Sequence, residues 1–267
     1  MTSVWREVGE RVWIRRYDAL DQTIGVIGGG SSLLVIDTRG SHQMADELLA
    51  ELKELPGSVR FAVNTHGHWD HVFGNARFRS WPIFGHIRCA EMIAEHGEEA
   101  RERLIARYSP ETGEQFREVE LMPPTELMDD SCSVGLEGRD IELRYLGRGH
   151  TDNDIVVRVP DASVLFAGDL LENAPAPGFG DSYPIAWADT GRALLRLVDG
   201  VVVPGHGDPF DVHVATTQVE QLAELAELGR QAASGAIGLD EAIRRSPFPR
   251  EPTREALERA HMEIESE

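Results

Sequence analysis

The sequence contains few cysteines and comparatively few basic residues. Its 267 residues include 2 cysteines, too few for a disulfide framework. Cys89 falls in a predicted helix and Cys132 in a predicted turn, without the C-x-x-C spacing of a thiolate metal site. Lys and Arg total 26 against 46 Asp and Glu, giving a formal net charge of −20. Because such a surface repels phosphate backbones and anionic membranes, nucleic acid and membranes are excluded as general partners.

Long apolar runs are also missing. No stretch of about 18 apolar residues occurs, so no membrane-spanning helix is predicted. Residues 1–7 lack the apolar stretch that a secretory signal needs, and we therefore expect a cytoplasmic protein. A chain of this length can bury one sizeable core, which favours a single domain with room for a helical appendage.

The apolar pattern predicts two groups of strands, each followed by helices. Short β-branched runs and a glycine-rich turn at 28–31 precede a helix whose predicted N-cap is Ser41. Strand patterns return between 125 and 170. Two such groups favour a sandwich of two sheets with helices outside.

Only helical patterns follow Asp211. We therefore expect residues 1–212 to form the sandwich and residues 213–267 to form a C-terminal helical extension packed on the same domain. Two roles remain open for these acidic helices, which either mediate a homodimer or cover an edge of the sandwich.

The most informative segment is T-H-G-H-W-D-H, which follows a predicted buried strand. It places three imidazoles and a carboxylate within six positions, as His66, His68, Asp70 and His71. Neutral imidazole and carboxylate together suit zinc, iron or manganese. Without a metal, each buried imidazole would need its own partner, and the cluster would repel itself on protonation. The segment therefore predicts a metal site.

Three further residues of ligand type occur where β-rich apolar runs stop. They are His150 in G-R-G-H-T-D, Asp169 in F-A-G-D and His206 in P-G-H-G. Loops at strand ends are where a rigid scaffold usually presents reactive groups. The flanking glycines allow backbone and metal to approach closely. These residues thus share the context of the first motif.

The combined motifs, H-x-H-x-D-H followed by Gly-His-Thr, Gly-Asp and Pro-Gly-His-Gly, resemble those of the metallo-β-lactamase-fold hydrolases. The resemblance extends from about Ile24 to Asp208. It implies an α/β fold, the αββα four-layer sandwich, with a dinuclear metal site at one edge of the sheets. The ligands that it implies are His66, His68 and His150 for the first metal, Asp70, His71 and His206 for the second, and Asp169 as the bridge.

Such a ligand set leaves coordination positions open, as in catalytic metal sites. Two zinc ions that share a water lower its pKa from about 16 to near 7. We expect the bridging hydroxide to attack an ester, thioester, lactone or amide carbonyl of a small molecule, with Asp70 as the catalytic carboxylate that orients it. Thr151 and Asp152 are predicted to fix imidazole orientation or simply to cap a turn.

The branches of this superfamily leave the substrate open. Some class B β-lactamases have cysteine where this chain has Asp169, and they are exported, so β-lactamase activity is the weaker alternative. Glyoxalase II resembles the chain in its ligand set, but no arrangement of arginines for glutathione is recognisable. The related lactonases have a pocket tyrosine, for which Tyr183 is an analogue. We predict substrate contacts from Asn173, Tyr183 and Trp69, the last of which either lines the pocket or packs its own loop.

Oxidation is an alternative of a different class. Persulfide dioxygenases of the same fold resemble this chain in the same motifs and use one Fe²⁺. Their two histidines and one carboxylate correspond here to His66, His150 and Asp169. Because these ligand types suit iron as well as zinc, two Zn²⁺ or one Fe²⁺ remain alternative cofactors.

Overall fold

The computed structural model describes residues 4–174 and 176–266, and its strands form two sheets. The first seven strands form one sheet in chain order, antiparallel from the first strand to the fourth and parallel from the fourth to the seventh. These strands are β1 (Arg6–Gly9), β2 (Val12–Arg16), β3 (Thr23–Gly29), β4 (Ser32–Ile36), β5 (Ser58–Val63), β6 (Ile83–His86) and β7 (Glu126–Met128).

The second sheet has five strands in the order β12-β11-β10-β9-β8. Neighbours are antiparallel except β11 and β12, which run parallel. Its strands are β8 (Ser131–Leu136), β9 (Arg139–Tyr145), β10 (Ile155–Val159), β11 (Val164–Gly168) and β12 (Val201–Pro204). Cys132 lies on β8, so its prediction as a turn residue was wrong: the solvent-facing serines and glycine of this edge strand conceal its alternation.

Eight α-helices accompany the sheets in the described residues. Ser41 is the N-cap of the first, as predicted, and its hydroxyl accepts the backbone N–H of Met44 at 3.2 Å. The helices are α1 (His42–Glu51), α2 (Trp69–Val72), α3 (Ile87–Arg107), α4 (Pro110–Arg117), α5 (Pro184–Leu195), α6 (Val212–Ala233), α7 (Leu239–Arg245) and α8 (Arg250–Ser266).

Both faces of the central strands are buried. On β4, Leu34 packs into the core between the sheets, whereas Leu33 and Val35 pack on the outer face, in the same cluster as α1. On β10, Val157 faces the other sheet and Val156 packs in the outer cluster that contains α5 and α6. This alternation on doubly buried strands produces the predicted αββα sandwich.

The C-terminal helices share the core of the second sheet. Leu257 on α8 belongs to the same buried cluster as Trp187 on α5. The buried carboxylate of Glu263 accepts the backbone N–H groups of Ile185 and Ala186 at 2.8 and 2.9 Å, in the first turn of α5. A carboxylate at this end of a helix satisfies free N–H groups and complements the helix dipole. The extension is therefore fastened to the sandwich by polar as well as apolar contacts.

Within the described ranges, every helix is too short or too polar to traverse a bilayer.

We expect Glu263→Ala to lower the free energy of unfolding by about 1–3 kcal/mol, because it leaves N–H groups of α5 without their acceptor. Urea unfolding followed by circular dichroism measures the change. Glu258→Ala, at an exposed position on the same helix, is the matched control and should leave the midpoint unchanged. Equal midpoints for the two variants would contradict this role of Glu263.

Candidate metal centre

The structure brings all seven predicted ligands together at one edge of the sandwich, where strands of both sheets end. His66 comes shortly after β5, Asp169 directly after β11 and His206 shortly after β12. The donor atoms form two groups, and within each group they lie within 4.8 Å of one another. One group consists of His66, His68, His150 and Asp169, and the other of Asp70, His71 and His206.

Backbone hydrogen bonds fasten these loops across the gap between the sheets. The N–H of Ile155, at the start of β10, donates to the Thr65 carbonyl at 2.8 Å. The N–H of Thr23 on β3 donates to the carbonyl of Gly205 at 2.7 Å, and the N–H of Gly205 donates to Gly168 at 2.9 Å. The ligand-bearing loops are thereby held to both sheets, which makes their positions part of the fold.

Each of the five imidazoles has a hydrogen-bond partner on the ring nitrogen that points away from the cluster. Two of these partners are backbone carbonyls: Gly178, 3.1 Å from Nδ1 of His150, and Leu20, 2.8 Å from Nδ1 of His206. The others are side-chain oxygens, namely Asp37 at 2.8 Å from Nδ1 of His71, Asp181 at 3.0 Å from Nε2 of His68, and Thr65 at 3.1 Å from Nδ1 of His66.

These partners fix which ring nitrogen carries the proton. A carbonyl or carboxylate oxygen only accepts, so the outward nitrogens of His68, His71, His150 and His206 donate. The Thr65 hydroxyl donates to Asp37 at 2.9 Å, which leaves its oxygen to accept from His66. When a ring is neutral, its inward nitrogen therefore carries a lone pair, as a metal ligand requires.

The inward lone pairs face one another at short range. Nδ1 of His68 lies 2.8 Å from Nε2 of His150 and 3.0 Å from Nε2 of His66. Acceptors at this separation repel unless a cation lies between them. The residues therefore fit a metal ion by their chemistry as well as by their proximity.

Asp169 lies at the centre of both groups. Its Oδ2 is 3.3 to 3.7 Å from the Nε2 atoms of four imidazoles, and its buried Oδ1 has no hydrogen-bond partner among the described residues. A buried carboxylate oxygen without a donor is costly unless a cation compensates it. The four imidazoles around Oδ2 are those of His66, His71, His150 and His206.

The electrostatics divide the imidazoles into two kinds. Burial, followed by repulsion from neighbouring imidazoles, holds the pKa of His66 well below its usual range and lowers the pKa of His150 to about 4. Burial acts in the same direction on His206, but the carboxylates of Asp169 and Asp70 outweigh it and raise its pKa to about 11. The carboxylates thus favour positive charge at the second group.

A glycine allows Asp169 to reach this position. A Cβ atom on Gly205 would lie 2.0 Å from Oδ1 of Asp169 and 3.1 Å from Cε1 of His71. No side chain fits in that space. The glycine of the P-G-H-G motif therefore serves the close approach of backbone and ligand.

The residues predicted to orient the imidazoles, Thr151 and Asp152, lie beside the site. The N–H and hydroxyl of Thr151 donate to the two carboxylate oxygens of Asp154 at 2.7 and 2.9 Å. The Asp152 carbonyl accepts from Nε of Arg88 at 2.7 Å. These contacts fix the turn after His150, while the hydrogen bonds to the rings come from other residues.

The three predicted substrate contacts lie in different places. Trp69 lines a cleft of about 570 Å³ beside the ligands and also packs edge-on against Phe116. Tyr183 lines a smaller neighbouring cleft of about 250 Å³. The Asn173 side chain donates to the Asp208 carbonyl at 3.0 Å, beside the loop of His206. Contact of these three residues with substrate stays a prediction.

Sequence reasoning missed the orienting residues. Asp37 directly follows the buried strand β4, as Asp169 follows β11, so the same strand-end signal was present. Asp181 and Gly178 lie in an irregular loop and Leu20 in the short 3₁₀ turn Ala19–Asp21, and nothing in their local pattern marks them. Only the folded chain shows that these loops reach the histidines.

Comparison with known proteins identifies the superfamily of this chain. The sequence profile of the metallo-β-lactamase superfamily matches residues 17–206, which contain all seven ligands. The chain belongs to the metallo-β-lactamase superfamily. This membership makes it a hydrolase-like protein with histidine and aspartate groups for metal.

Individual superfamily members are similar over most of the chain. The metallo-β-lactamase domain-containing protein 1 of Xenopus laevis is 32% identical over 205 residues, 72% of this chain and 73% of its own length. The metallo-β-lactamase type 2 of Bacillus sp. (strain 170) is 25% identical over 192 residues, 70% of this chain and 66% of its own length. A metallo-β-lactamase structure from Pontibacter korlensis matches with a TM-score of 0.64 at 21% identity, covering 82% of this chain and 98% of that one.

We expect Asp181→Asn to weaken metal binding about 10- to 100-fold, because the neutral amide holds the outward N–H of His68 less strongly. Competition with a chromogenic chelator measures the affinity. Asp189→Asn, at an exposed position on α5, is the control and should bind as the unmodified chain does. An Asp181→Asn protein with unchanged affinity would show that His68 needs no such partner.

Gly205→Ala should displace the Asp169 carboxylate, reduce the metal content and lower the free energy of unfolding by about 1–3 kcal/mol. Metal analysis and urea unfolding measure the two effects. Gly135→Ala is the matched control, since a Cβ there meets nothing within 4 Å. Full metal content in the Gly205→Ala protein would disprove the close-approach argument.

Proposed function

We propose that this protein is a two-zinc hydrolase that cleaves an ester, thioester, lactone or amide bond of a small molecule. The observation that carries the proposal is the position of Asp169. Its Oδ2 lies among imidazoles of both ligand groups, 3.6 Å from Nε2 of His150 and 3.3 Å from Nε2 of His206. One carboxylate between two sets of lone pairs is the arrangement that a pair of cations requires.

The second ligand group favours two metals over one iron. A single iron would use only His66, His150 and Asp169. Yet His206 and His71 each point Nε2 toward Oδ2 of Asp70, at 3.2 and 3.4 Å. Each of these rings also has its own orienting partner, as ligands do.

Two zinc ions, when bound, would supply hydroxide at neutral pH and polarise the substrate carbonyl. The chain's own residues would hold and orient the reactants. Asp70 is the ligand-type carboxylate that also lines the cleft, together with His68. The imidazoles around it hold its pKa well below the usual range despite burial, so it stays an acceptor. We assign Asp70 to orienting the attacking water.

The cleft supports a small-molecule substrate. Its volume of about 570 Å³ falls within the range of sites for small ligands, and it reaches the metal ligands directly. A net charge of −20 disfavours nucleic acid as the substrate.

Protein purified without added metal should contain two zinc ions per chain and hydrolyse at least one member of a panel of aryl esters, thioesters, lactones and a chromogenic β-lactam. Chelation should abolish hydrolysis, and zinc should restore it. Asp169→Asn should lower kcat/KM about 100-fold or more. Metal analysis and initial rates provide the measurements.

Asp140→Asn on the exposed side of β9 is the control for the Asp169 variant and should retain both metal and activity. Hydrolysis that survives complete metal removal would overturn the proposal. One iron per chain, with oxygen consumption on a persulfide, would replace it with the dioxygenase alternative.

A further inference from the structure

We infer that the cleft beside the metal ligands accepts an elongated amphipathic anion, with the cleavable bond at the ligand end and a carboxylate or phosphate at the far end. The inference rests on the proposed function for the position of the bond. The residues that line the cleft indicate the chemical class of the substrate.

One face of α3 forms a long wall of the cleft. Its lining residues recur every one to four positions from Met92 to Arg107, so they form one stripe along the helix. The fifteen helical steps from Met92 to Arg107 span roughly 22 Å. The stripe consists of Met92, His96, Gly97, Ala100, Arg103, Leu104 and Arg107.

The Met92 end of this wall lies at the metal ligands. Its Sδ is 2.8 Å from the position that a Cβ on Gly67 would take, between His66 and His68. The Asn153 side chain, which also accepts the N–H of Gly67 at 2.8 Å, donates to the same sulfur at 3.5 Å. The direction of α3 therefore carries the wall from the ligands toward Arg107.

The middle of the cleft is apolar. Trp69 and Phe73 line it on one side, and Ala100 and Leu104 line it on the α3 side. Phe73 and Leu104 belong to one buried cluster, which gives this surface a rigid support. An alkyl or aryl body of a substrate would gain burial against it.

The far end of the cleft carries the guanidinium groups of Arg103 and Arg107, which make few contacts with other side chains. The side chain of Arg107 has no ion pair or hydrogen bond within the described part of the chain. Arg103 approaches Glu99 only at 4.0 Å, between side chains that are 70% and 67% exposed, which is a weak contact. Arg101, outside the cleft, instead donates to Glu98 and to the Val119 carbonyl. Arg103 and Arg107 are thus available for a ligand.

The cleft's own carboxylates lie toward the ligand end, away from the two arginines. Asp181 lies at the ligand end, where it accepts from His68, and Glu255 lies near Gly180, its Oε1 3.6 Å from the position of a Cβ there. Under the proposed function the cleavable bond occupies the ligand end, which leaves the arginines as the cationic partners for the anionic end of the substrate. The chain has a net charge of −20, but salt screens the repulsion from carboxylates more than about 8–10 Å away. The nearby guanidinium groups of Arg103 and Arg107 therefore dominate the interaction with the anionic end of the ligand.

Isothermal titration of the metal-loaded protein with decanoate, decyl phosphate and neutral decanol tests the inference. Arg103→Ala/Arg107→Ala should weaken binding of the preferred anion about tenfold or more and leave decanol binding unchanged. The tighter of the two anions identifies the terminal group. Arg244→Ala, at an exposed arginine on α7, is the matched control and should bind like the unmodified chain.

A second readout uses hydrolysis of the p-nitrophenyl half ester of dodecanedioate and of its neutral methyl ester. The double variant should raise KM for the charged ester and leave kcat/KM for the neutral ester unchanged. Equal affinity of both proteins for both anions would overturn the inference while leaving the hydrolase proposal intact. Arginine-dependent binding by a protein that hydrolyses no ester, thioester, lactone or β-lactam of the panel would instead reject the proposed function and keep the cleft assignment.

Discussion

The structure of this site depends on one electrostatic constraint, the convergence of buried imidazoles and carboxylates into two adjacent groups of donor atoms. Five inward imidazole nitrogens and the carboxylates of Asp70 and Asp169 face each other at one edge of the sandwich, and Oδ2 of Asp169 lies within 3.7 Å of four of these nitrogens. Acceptors do not gather in this way without positive charge to compensate them. The loops of the fold are therefore arranged to form a cation site. Cation binding at this site would link the stability of the protein to its chemistry.

The constraint is met by distributing the orienting contacts over distant parts of the chain. The backbones of Leu20 and Asp37 lie in the left-handed region, with φ of 65° and 64°, and each residue holds the outward nitrogen of one histidine. Strained non-glycine residues persist where surrounding contacts over-determine them. Asp37 is held by the N–H of Thr65 at 2.8 Å as well as by His71. Because a hydrogen bond on the outward nitrogen fixes each imidazole ring, the fold pre-organises the inward donor atoms.

The seven residues that the structure brings together could be predicted as ligands from sequence because they share a local signal, a polar ligand type at the end of an apolar strand. The two groups of strands with helices outside and the N-cap at Ser41 likewise follow from apolar and capping patterns, whereas the αββα sandwich was implied by the resemblance of the motifs. Asp181 and Leu20 could not be found, since their roles depend on loops that meet ligands far away in sequence. Cys132 was misplaced because β8 is an exposed edge strand, where the apolar alternation is weak. Local sequence patterns thus indicate the predicted ligands, whereas only tertiary contacts reveal the residues that orient them.

The C-terminal helices belong to the site as well as to the fold. Arg259 on α8 donates to the carbonyls of Ser182 and Asp181 at 3.0 and 3.2 Å, in the loop whose Asp181 carboxylate accepts from His68. Glu255 on the same helix lines the cleft. Helix α8 is therefore connected to His68, a predicted metal ligand, through a single intervening residue, and it contributes Glu255 to the lining of the cleft. A helix that only covered an edge of the sandwich would need neither contact.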